Sequence, residues 1–499
     1  MVVAAAPAGA LKSPTISLRG ARFSSWASIE PWAAALALGW CALRLGRGLG
    51  PEPFYNSDCA VPILLMQGMG EGGFTLYFPA QDRFGMWPFL LARALRLGSP
   101  EAYNVFSVLG LCSAALPLAA VLGSPALAVL TLILPFVLSQ SVAWNLLQSG
   151  SLYLWEVVAL CWAWWACRSA LTGTSPGTRV VSLLGFVLAS ALAAWTNTLA
   201  LAGLLAVGLL EVLRARARPA GAFGVLAGVC GAGAIEATLH RLHRAATFRD
   251  FGERYVTPVR IDRGHLLSNL GGVLASLRNA GGLWPLVVGL VTAALPRRSR
   301  SERFDQLCLL AFGCSVLPAL VLIRYFRENH FAGRYLSYPT FWALSAAVHG
   351  VVVLACALAG ARRGLVLALG LAALVIAVPS GPLDPLAGPR ADAARLAARG
   401  PAVLLAEYLD VYVPASLAPR GTLVPLAAQG NLNRFPGVVA ELRPGRTVLA
   451  QCALDRPDGT LEQYGALLSR TAEAPIPGSA SPWCRHTVER AAGAVRRER

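Results

Sequence analysis

The strongest constraint on the fold is a series of long, uncharged apolar runs between residues 30 and 379. The hydrocarbon core of a bilayer is about 30 Å thick, so a helix needs about 20 apolar residues to cross it. Eleven runs reach or approach that length, and we expect spans at roughly 30–47, 102–122, 125–143, 152–169, 179–195, 198–213, 219–239, 281–296, 304–323, 335–359 and 363–379. The sequence therefore predicts a polytopic α-helical membrane protein with about eleven transmembrane helices.

Composition excludes several other classes of protein. Hydrophobic residues make up 56% of the chain and charged residues only 14%, a charged share about half that of a soluble domain. A disordered chain, a collagen-like fibre and a purely cytosolic enzyme are therefore excluded. The net charge of +17 comes almost wholly from arginine, since Lys12 is the only lysine. We interpret this bias as the mark of a GC-rich coding sequence, and we expect no nucleic-acid partner.

The apolar run from Arg179 to Leu213 sets the number of membrane crossings. As one helix it would be about 52 Å long at 1.5 Å per residue, far longer than a bilayer core. We therefore expect two helices that turn near Thr196–Thr198. With a cytoplasmic N-terminus and an uncleaved first helix, the positive-inside rule is obeyed. The short inside connections then carry Arg168, Arg179, Arg214, Arg216, Arg218, Arg297, Arg298, Arg300, Arg303, Arg362 and Arg363.

The chain is expected to divide into three parts. Residues 1–29 form a cytoplasmic N-terminal segment, residues 30–380 a transmembrane domain, and residues 381–499 a small α/β domain outside the membrane. Within the last part, short apolar runs predict strands and a longer stretch predicts a helix. The strands are expected at 402–405, 422–426 and 447–454, and the helix at 461–473.

The first outside loop, residues 48–101, carries the sharpest set of polar residues. Asp58 lies shortly after the first helix and directly before the apolar run Ala60–Met66, which we interpret as a short helix on the membrane surface. One interpretation is that Asp58 only caps this helix, which typically contributes about 1 kcal/mol. The other is a carboxylate at the boundary between water and lipid that acts as a general base. The residues alone leave both interpretations open.

An aromatic-rich stretch, Gln81-Asp82-Arg83-Phe84-Gly85, follows in the same loop. Together with Asp58 it resembles the first periplasmic loop of GT-C-type membrane glycosyltransferases, which include protein O-mannosyltransferases and the bacterial transferases of aminoarabinose and lipopolysaccharide-core sugars. The resemblance implies a GT-C fold in which Asp58 is the catalytic base and Asp82 the second acidic residue. It also allows a divalent cation held by these two carboxylates, although Cys59 stands where the family often has another acid.

The resemblance further implies a polyprenyl-phosphate sugar donor, whose phosphate needs cations around it. Four arginines are candidates for this role: Arg83, Arg324, Arg327 and Arg334. Guanidinium groups suit phosphate, and the competing interpretation is anchoring at the lipid headgroups. Three further residues are candidates for lining the cavity of the site: Glu156, His330 and Tyr335. For Glu156, hydrogen bonding between helices is an equally good explanation.

Two features of the C-terminal part bear on the site. Cys452 and Cys484 share a polar segment, and in an oxidising compartment we expect them to form a disulfide that closes a loop of about 32 residues. The stretches 407–412 and 434–436 look like the tail domain of the family, where they would help to recognise the acceptor. An ordinary solvated surface explains them equally well.

The sequence thus predicts an inverting glycosyltransferase that moves a sugar from a polyprenyl-phosphate donor to a lipid, glycan or protein acceptor. The expected location is the bacterial inner membrane, among membrane lipids, with the C-terminal domain in the periplasm. Two other functions compete: a transporter or flippase for an anionic lipid, and a non-catalytic partner in the assembly of an envelope polysaccharide. A transporter of this kind should have two related halves with broken helices, and the sequence has no such symmetry.

Overall fold

The described part of the protein is mostly helical, at 74%, and has a small mixed sheet near its C-terminal end. This architecture comes from a computed structural model. It describes residues 21–46, 57–68, 76–77, 85–147, 151–216, 219–251, 261–295, 299–328, 330, 333–378, 386–429, 435–478 and 481–491.

The N-terminal part is a bundle of helices in which every predicted span is helical. In chain order the helices are α1 (Ala21–Gly46), α2 (Ser57–Met66), α3 (Trp87–Ala94), α4 (Pro100–Leu122), α5 (Pro125–Leu138), α6 (Gln140–Leu147), α7 (Leu152–Thr172), α8 (Pro176–Thr196), α9 (Ala200–Ala215), α10 (Pro219–Phe251), α11 (Leu266–Asn279), α12 (Leu283–Ala294), α13 (Arg300–Cys314), α14 (Leu317–Leu322), α15 (Arg324–Glu328), α16 (Gly333–Ala359) and α17 (Arg363–Ala377). The predicted division of the run 179–213 is confirmed, because α8 ends at Thr196 and α9 begins at Ala200.

Three of these helices begin at a proline that directly follows a capping serine. The hydroxyls of Ser99, Ser124 and Ser175 each accept a hydrogen bond from a backbone N–H in the first turn of α4, α5 and α8. The proline that follows each serine has no N–H group to leave unsatisfied, and its fixed φ suits the start of a helix. Local sequence therefore fixes where these helices begin.

Among the described residues, fewer than eleven helices are long and apolar enough to cross a membrane by themselves. In the described part of the chain five stretches meet both conditions, or seven if each of two bent helix pairs is one span. Helix α9 has only 16 residues, and α7 carries Glu156, Arg168 and four tryptophans, which lower its hydropathy. Helices α16 and α17 count as one stretch of 43 residues, more than twice the length that a span needs. The number of eleven spans therefore stays a prediction.

A buried network of charges fixes α7, α9 and α13 to one another. Arg168 contacts the carboxylates of Glu211 and Asp305, each at 2.5 Å, and Arg214 contacts Asp305 at 2.9 Å. The indole N–H of Trp164 donates to Glu211 at 2.7 Å. The two carboxylates are at most 5% exposed, so the arginines neutralise charges that would otherwise be costly to bury.

The C-terminal part, residues 387–490, is called the α/β unit below. It consists of α18 (Ala387–Ala397), β1 (Ala402–Ala406), α19 (Tyr408–Leu417), β2 (Leu423–Ala427), β3 (Thr447–Gln451), β4 (Thr460–Gln463), β5 (Ala466–Arg470) and β6 (Trp483–Arg490). The strand order is β2-β1-β3-β6-β5-β4, with β1 parallel to both of its neighbours and the other pairs antiparallel. The predicted strands at 402–405 and 422–426 are confirmed, as is 447–454 over its first five residues.

The predicted helix at 461–473 is wrong, because this segment forms the hairpin β4–β5. Its strands are joined at Tyr464 and Gly465, which both have positive φ, 54° and 77°. Two successive residues of positive φ are typical of the tight turns whose twist matches that of a hairpin. The leucines at 461 and 468 are cross-strand partners on the buried face of the sheet.

The predicted short helix at Ala60–Met66 is confirmed as part of α2, but its placement on the membrane surface is wrong. All of these residues are buried, and all except Pro62 belong to the same apolar cluster as β1 and α19 of the α/β unit. A helix that is apolar on every side must be covered on every side. The α/β unit supplies that cover, so α2 joins the first loop of the helical bundle to the C-terminal part.

Candidate active site

Asp58, the predicted base, lies within the first turn of α2, which begins at Ser57. It is therefore part of the helix and does not occupy the capping position before it. Its side chain is exposed, and its Oδ1 accepts a hydrogen bond from the hydroxyl of Tyr408 at 2.5 Å. Tyr408 is the first residue of α19. The predicted base thus lies where the first loop meets the α/β unit.

The base of the loop that holds Asp82 and Arg83 is fixed to the end of α8. Tyr77 and Gly85 pair as an antiparallel bridge, and the indole N–H of Trp195 donates to the carbonyl oxygen of residue 76 at 2.9 Å. A Cβ atom at Gly85 would lie 2.1 Å from the carbonyl oxygen of Trp195, so the close approach requires glycine. Asp82 and Arg83 themselves lie outside the described residues.

A cluster of polar side chains that sequence reasoning missed surrounds Tyr77. Its buried hydroxyl donates to Glu236 Oε1 at 3.3 Å, and Thr198 donates to the same oxygen at 3.0 Å. The ring of Tyr77 lies 5.6 Å from that of His240 and 5.0 Å from that of His243. The spacing of 236, 240 and 243 places all three on one face of α10 and was the available signal.

Two of the predicted phosphate ligands are paired with carboxylates. Arg324 contacts Glu328 at 2.6 Å, and Arg327 contacts Asp262 Oδ2 at 2.7 Å. Asp262 is 7% exposed and its Oδ1 lies 2.7 Å from His265 Nδ1. The hydrogen bond from His265 lowers the pKa of Asp262 below its ordinary value. A phosphate would therefore have to compete with these carboxylates for either arginine.

The remaining candidates of the late loop are placed as follows. His330 is exposed and has a φ of 51°, and the half-buried ring of Tyr335 packs edge-on against Phe326 at 5.1 Å. Arg334 belongs to the first turn of α16, and its side chain lies outside the described part of the structure. None of these three is placed beside Asp58 by a described contact.

Glu156, predicted to line a cavity, is held inside the helical bundle by a hydrogen bond. Its side chain is fully buried, and its Oε2 accepts a hydrogen bond from the amide of Asn197 at 3.1 Å. Asn197 lies in the turn between α8 and α9, and its own Oδ1 accepts from the backbone N–H of Leu199 at 3.2 Å. The alternative interpretation, hydrogen bonding between helices, describes this residue.

Two cavities lie among the described helices. One is between α11, α12, α13 and α16, and the other between α5, α13, α16 and α17. None of the predicted site residues whose side chains the structure describes lines either of these two cavities. In the same part of the chain, no three histidine, cysteine or acidic side chains are grouped so that they could hold a metal ion. Asp82, one of the two proposed metal ligands, lies outside the described residues. Binding of a cation by Asp58 and Asp82 therefore stays a prediction.

Cys452 and Cys484 form a disulfide in the structure. It joins the residue that follows β3 to the second residue of β6. Gln451, directly before Cys452, contacts the first turn of α19: its amide donates to Asp410 Oδ2 at 2.6 Å. The disulfide therefore lies close to the helix that carries Tyr408.

Comparison with solved structures identifies the fold. No protein-family model matches the sequence, and no curated protein matches it significantly. The structure of ArnT from Cupriavidus metallidurans bound to undecaprenyl phosphate is similar over 94% of this chain and 99% of its own, with 13% identity and a TM-score of 0.53.

Two other solved structures are similar at a lower level. The apo state of the same ArnT matches over 95% of this chain and 98% of its own, with 13% identity and a TM-score of 0.48. The oligosaccharyltransferase of Archaeoglobus fulgidus in complex with zinc and sulfate matches over 85% and 68%, with 11% identity and a TM-score of 0.46. Of these three structures, the ligand-bound ArnT is the one similar enough to assign the fold. The chain has the overall fold of ArnT, which is the GT-C fold that the first outside loop predicted.

Proposed function

We propose that this protein is a membrane glycosyltransferase that takes a sugar from a polyprenyl-phosphate donor. The observation that carries the proposal is the fold, which follows a structure bound to undecaprenyl phosphate over 94% of the chain. Asp58, the residue that the family motif assigns as the base, is exposed in the first turn of α2. We further propose a lipid, glycan or protein acceptor, and a location in the bacterial inner membrane with the α/β unit in the periplasm.

The proposed reaction needs one base and cations for the leaving group. The oxygen of an acceptor hydroxyl attacks the anomeric carbon of the sugar while Asp58 takes the hydroxyl proton. The bond from that carbon to the phosphate oxygen breaks, and polyprenyl phosphate leaves with the electron pair. Attack from the side opposite the phosphate inverts the anomeric configuration. Phosphate is a good leaving group, so its charge needs stabilisation more than it needs a proton.

The arginines are proposed to act unequally. Arg83 lies in the stretch of sequence between Tyr77 and Gly85, which pair with each other, and Arg334 belongs to the first turn of α16. We assign the phosphate to these two arginines. Arg324 and Arg327 already contact carboxylates, and they would bind the phosphate only by giving up those contacts. Asp82 would support the acceptor or a divalent cation.

The test is donor consumption by the purified protein in lipid nanodiscs. Radiolabelled undecaprenyl-phosphate hexoses and pentoses are supplied with a membrane lipid extract as the source of acceptor. We expect one donor to be consumed by the wild type and none by Asp58→Asn, whose folding is checked by thermal unfolding. A flippase would move labelled lipid between leaflets without consuming it, and a non-catalytic partner would do neither. Equal consumption by Asp58→Asn and the wild type would contradict the assignment of the base.

A further inference from the structure

We infer that Tyr408 is a positioning residue for Asp58, so that the α/β unit completes the active site of the helical bundle. The inference rests on the proposed function, in which Asp58 is the base. Asp58 is exposed, and an exposed carboxylate has several accessible rotamers. A hydroxyl that donates to one of its oxygens at 2.5 Å selects among them, because a hydrogen bond to an ionised acceptor is stronger than one between neutral groups.

The contact is set by the packing of two helices along their whole length. At their first turns, Tyr408 of α19 meets Asp58 of α2. At their last turns, the amide of Gln67, directly after α2, donates to the carbonyl oxygen of Ser416 at 3.0 Å. The two helices therefore run side by side in the same direction, and each has 10 residues. Apolar residues of both belong to one buried cluster, so the register cannot slip without exposing them.

The first turn of α19 is itself anchored to the sheet. The backbone N–H of Glu407 donates to Gln451 Oε1 at 3.2 Å, and the amide of Gln451 donates to Asp410 at 2.6 Å and to Ser481 at 2.9 Å. Gln451 is only 5% exposed. One buried side chain thus holds both sides of Tyr408, next to the disulfide at Cys452.

Aromatic packing holds the side-chain ring of Tyr408, in addition to the contacts that hold its backbone. It packs edge-on against Tyr412 at 5.3 Å, and Tyr412 packs in turn on Phe435 at 5.9 Å. Edge-on pairs of this kind restrict the rotation of the ring. A residue whose only role was to recognise the acceptor would not need its ring fixed beside the base.

The test compares Tyr408→Phe with Tyr464→Phe. The first removes the hydroxyl that meets Asp58, and the second removes a hydroxyl of the same α/β unit that donates to the carbonyl oxygen of Ala427 at 2.5 Å. We expect Tyr408→Phe to lower kcat by about tenfold to a hundredfold, the usual effect of a misplaced catalytic group, with KM for donor and acceptor unchanged. Tyr464→Phe should keep the kcat of the wild type. An unchanged kcat in Tyr408→Phe, or a loss confined to the KM of the acceptor, would overturn the inference.

A second measurement does not depend on activity. Thermal unfolding of Tyr408→Phe, Asp58→Ala and the double variant forms a double-mutant cycle. We expect the double variant to lose less stability than the two single losses together, since each single change already breaks the shared hydrogen bond. Strict additivity would count against the contact. If the wild type consumes no donor, the proposed function fails; if the wild type is active but the cycle is additive and Tyr408→Phe is fully active, only the role of Tyr408 fails.

Discussion

The close approach of Gly85 to Trp195 allows a sharp test of how the first loop is held. In Gly85→Ala the new Cβ would lie 2.1 Å from the carbonyl oxygen of Trp195 and 2.3 Å from its indole ring. Atoms of this kind do not approach closer than about 3 Å, so the loop and the end of α8 must separate by about 1 Å. Overpacking of this size costs about 1–3 kcal/mol, and a shift of about 1 Å in a catalytic group can cost about a hundredfold in rate.

The assay is donor consumption by Gly85→Ala, with thermal unfolding measured on the same sample. We expect activity to fall by about a hundredfold while the helices stay folded, because the displaced segment leads directly into Asp82 and Arg83. Gly98→Ala is the matched control, since its Cβ would meet only the side chain of Gln67, at an ordinary 3.8 Å. Activity of Gly85→Ala within twofold of Gly98→Ala would refute the idea that the pinned base of this loop positions the site.

Two further predictions concern stability. Arg168→Ala should lower the free energy of unfolding by about 3–5 kcal/mol, because the buried carboxylates of Glu211 and Asp305 lose a compensating positive charge. Thermal unfolding in detergent measures this loss, with Arg179→Ala, at an exposed position, as the control. A loss no larger than that of the control would contradict the prediction. His265, Asn269 and Arg327 favour the ionised form of Asp262, so its pKa is lower in the folded protein than in the unfolded chain. The resulting stability is fully present above the pKa of an unfolded aspartate, about 4, and is lost as the pH falls through the lowered folded pKa. The melting temperature of the wild type should therefore fall more steeply below about pH 4 than that of Asp262→Asn, and parallel curves would show that the cluster is unimportant.

Local signals predicted much of the fold. The apolar runs marked the helices because burial in a bilayer or a bundle needs long uncharged stretches. The excessive length of the run 179–213 was enough to predict the turn before Ala200, and three short apolar runs predicted β1, β2 and β3. The hairpin at Tyr464–Gly465 was mistaken for a helix because the apolar residues of two short strands can also match a helical period.

The arrangement of the site depended on contacts that no local pattern records. Tyr408 and Asp58 are 350 residues apart, and only the folded α/β unit brings them together. The burial of α2 was missed for the same reason, since its apolar residues fit a membrane surface as well as a protein one. The partner of Arg324 is Glu328, one helical turn away. The partner of Arg327 is Asp262, which is distant in sequence. The motif resemblance predicted the role of base for Asp58, whereas its contact with Tyr408 is visible only in the structure.

We propose that Asp58 removes a proton during transfer from a polyprenyl-phosphate sugar. The most direct measurement is the release of undecaprenyl phosphate from its labelled glycosyl derivative by the wild type and by Asp58→Asn, together with binding of the same donor to both. We expect Asp58→Asn to bind donor like the wild type and to release no undecaprenyl phosphate above background. Release at the rate of the wild type, from a variant that is correctly folded, would contradict it.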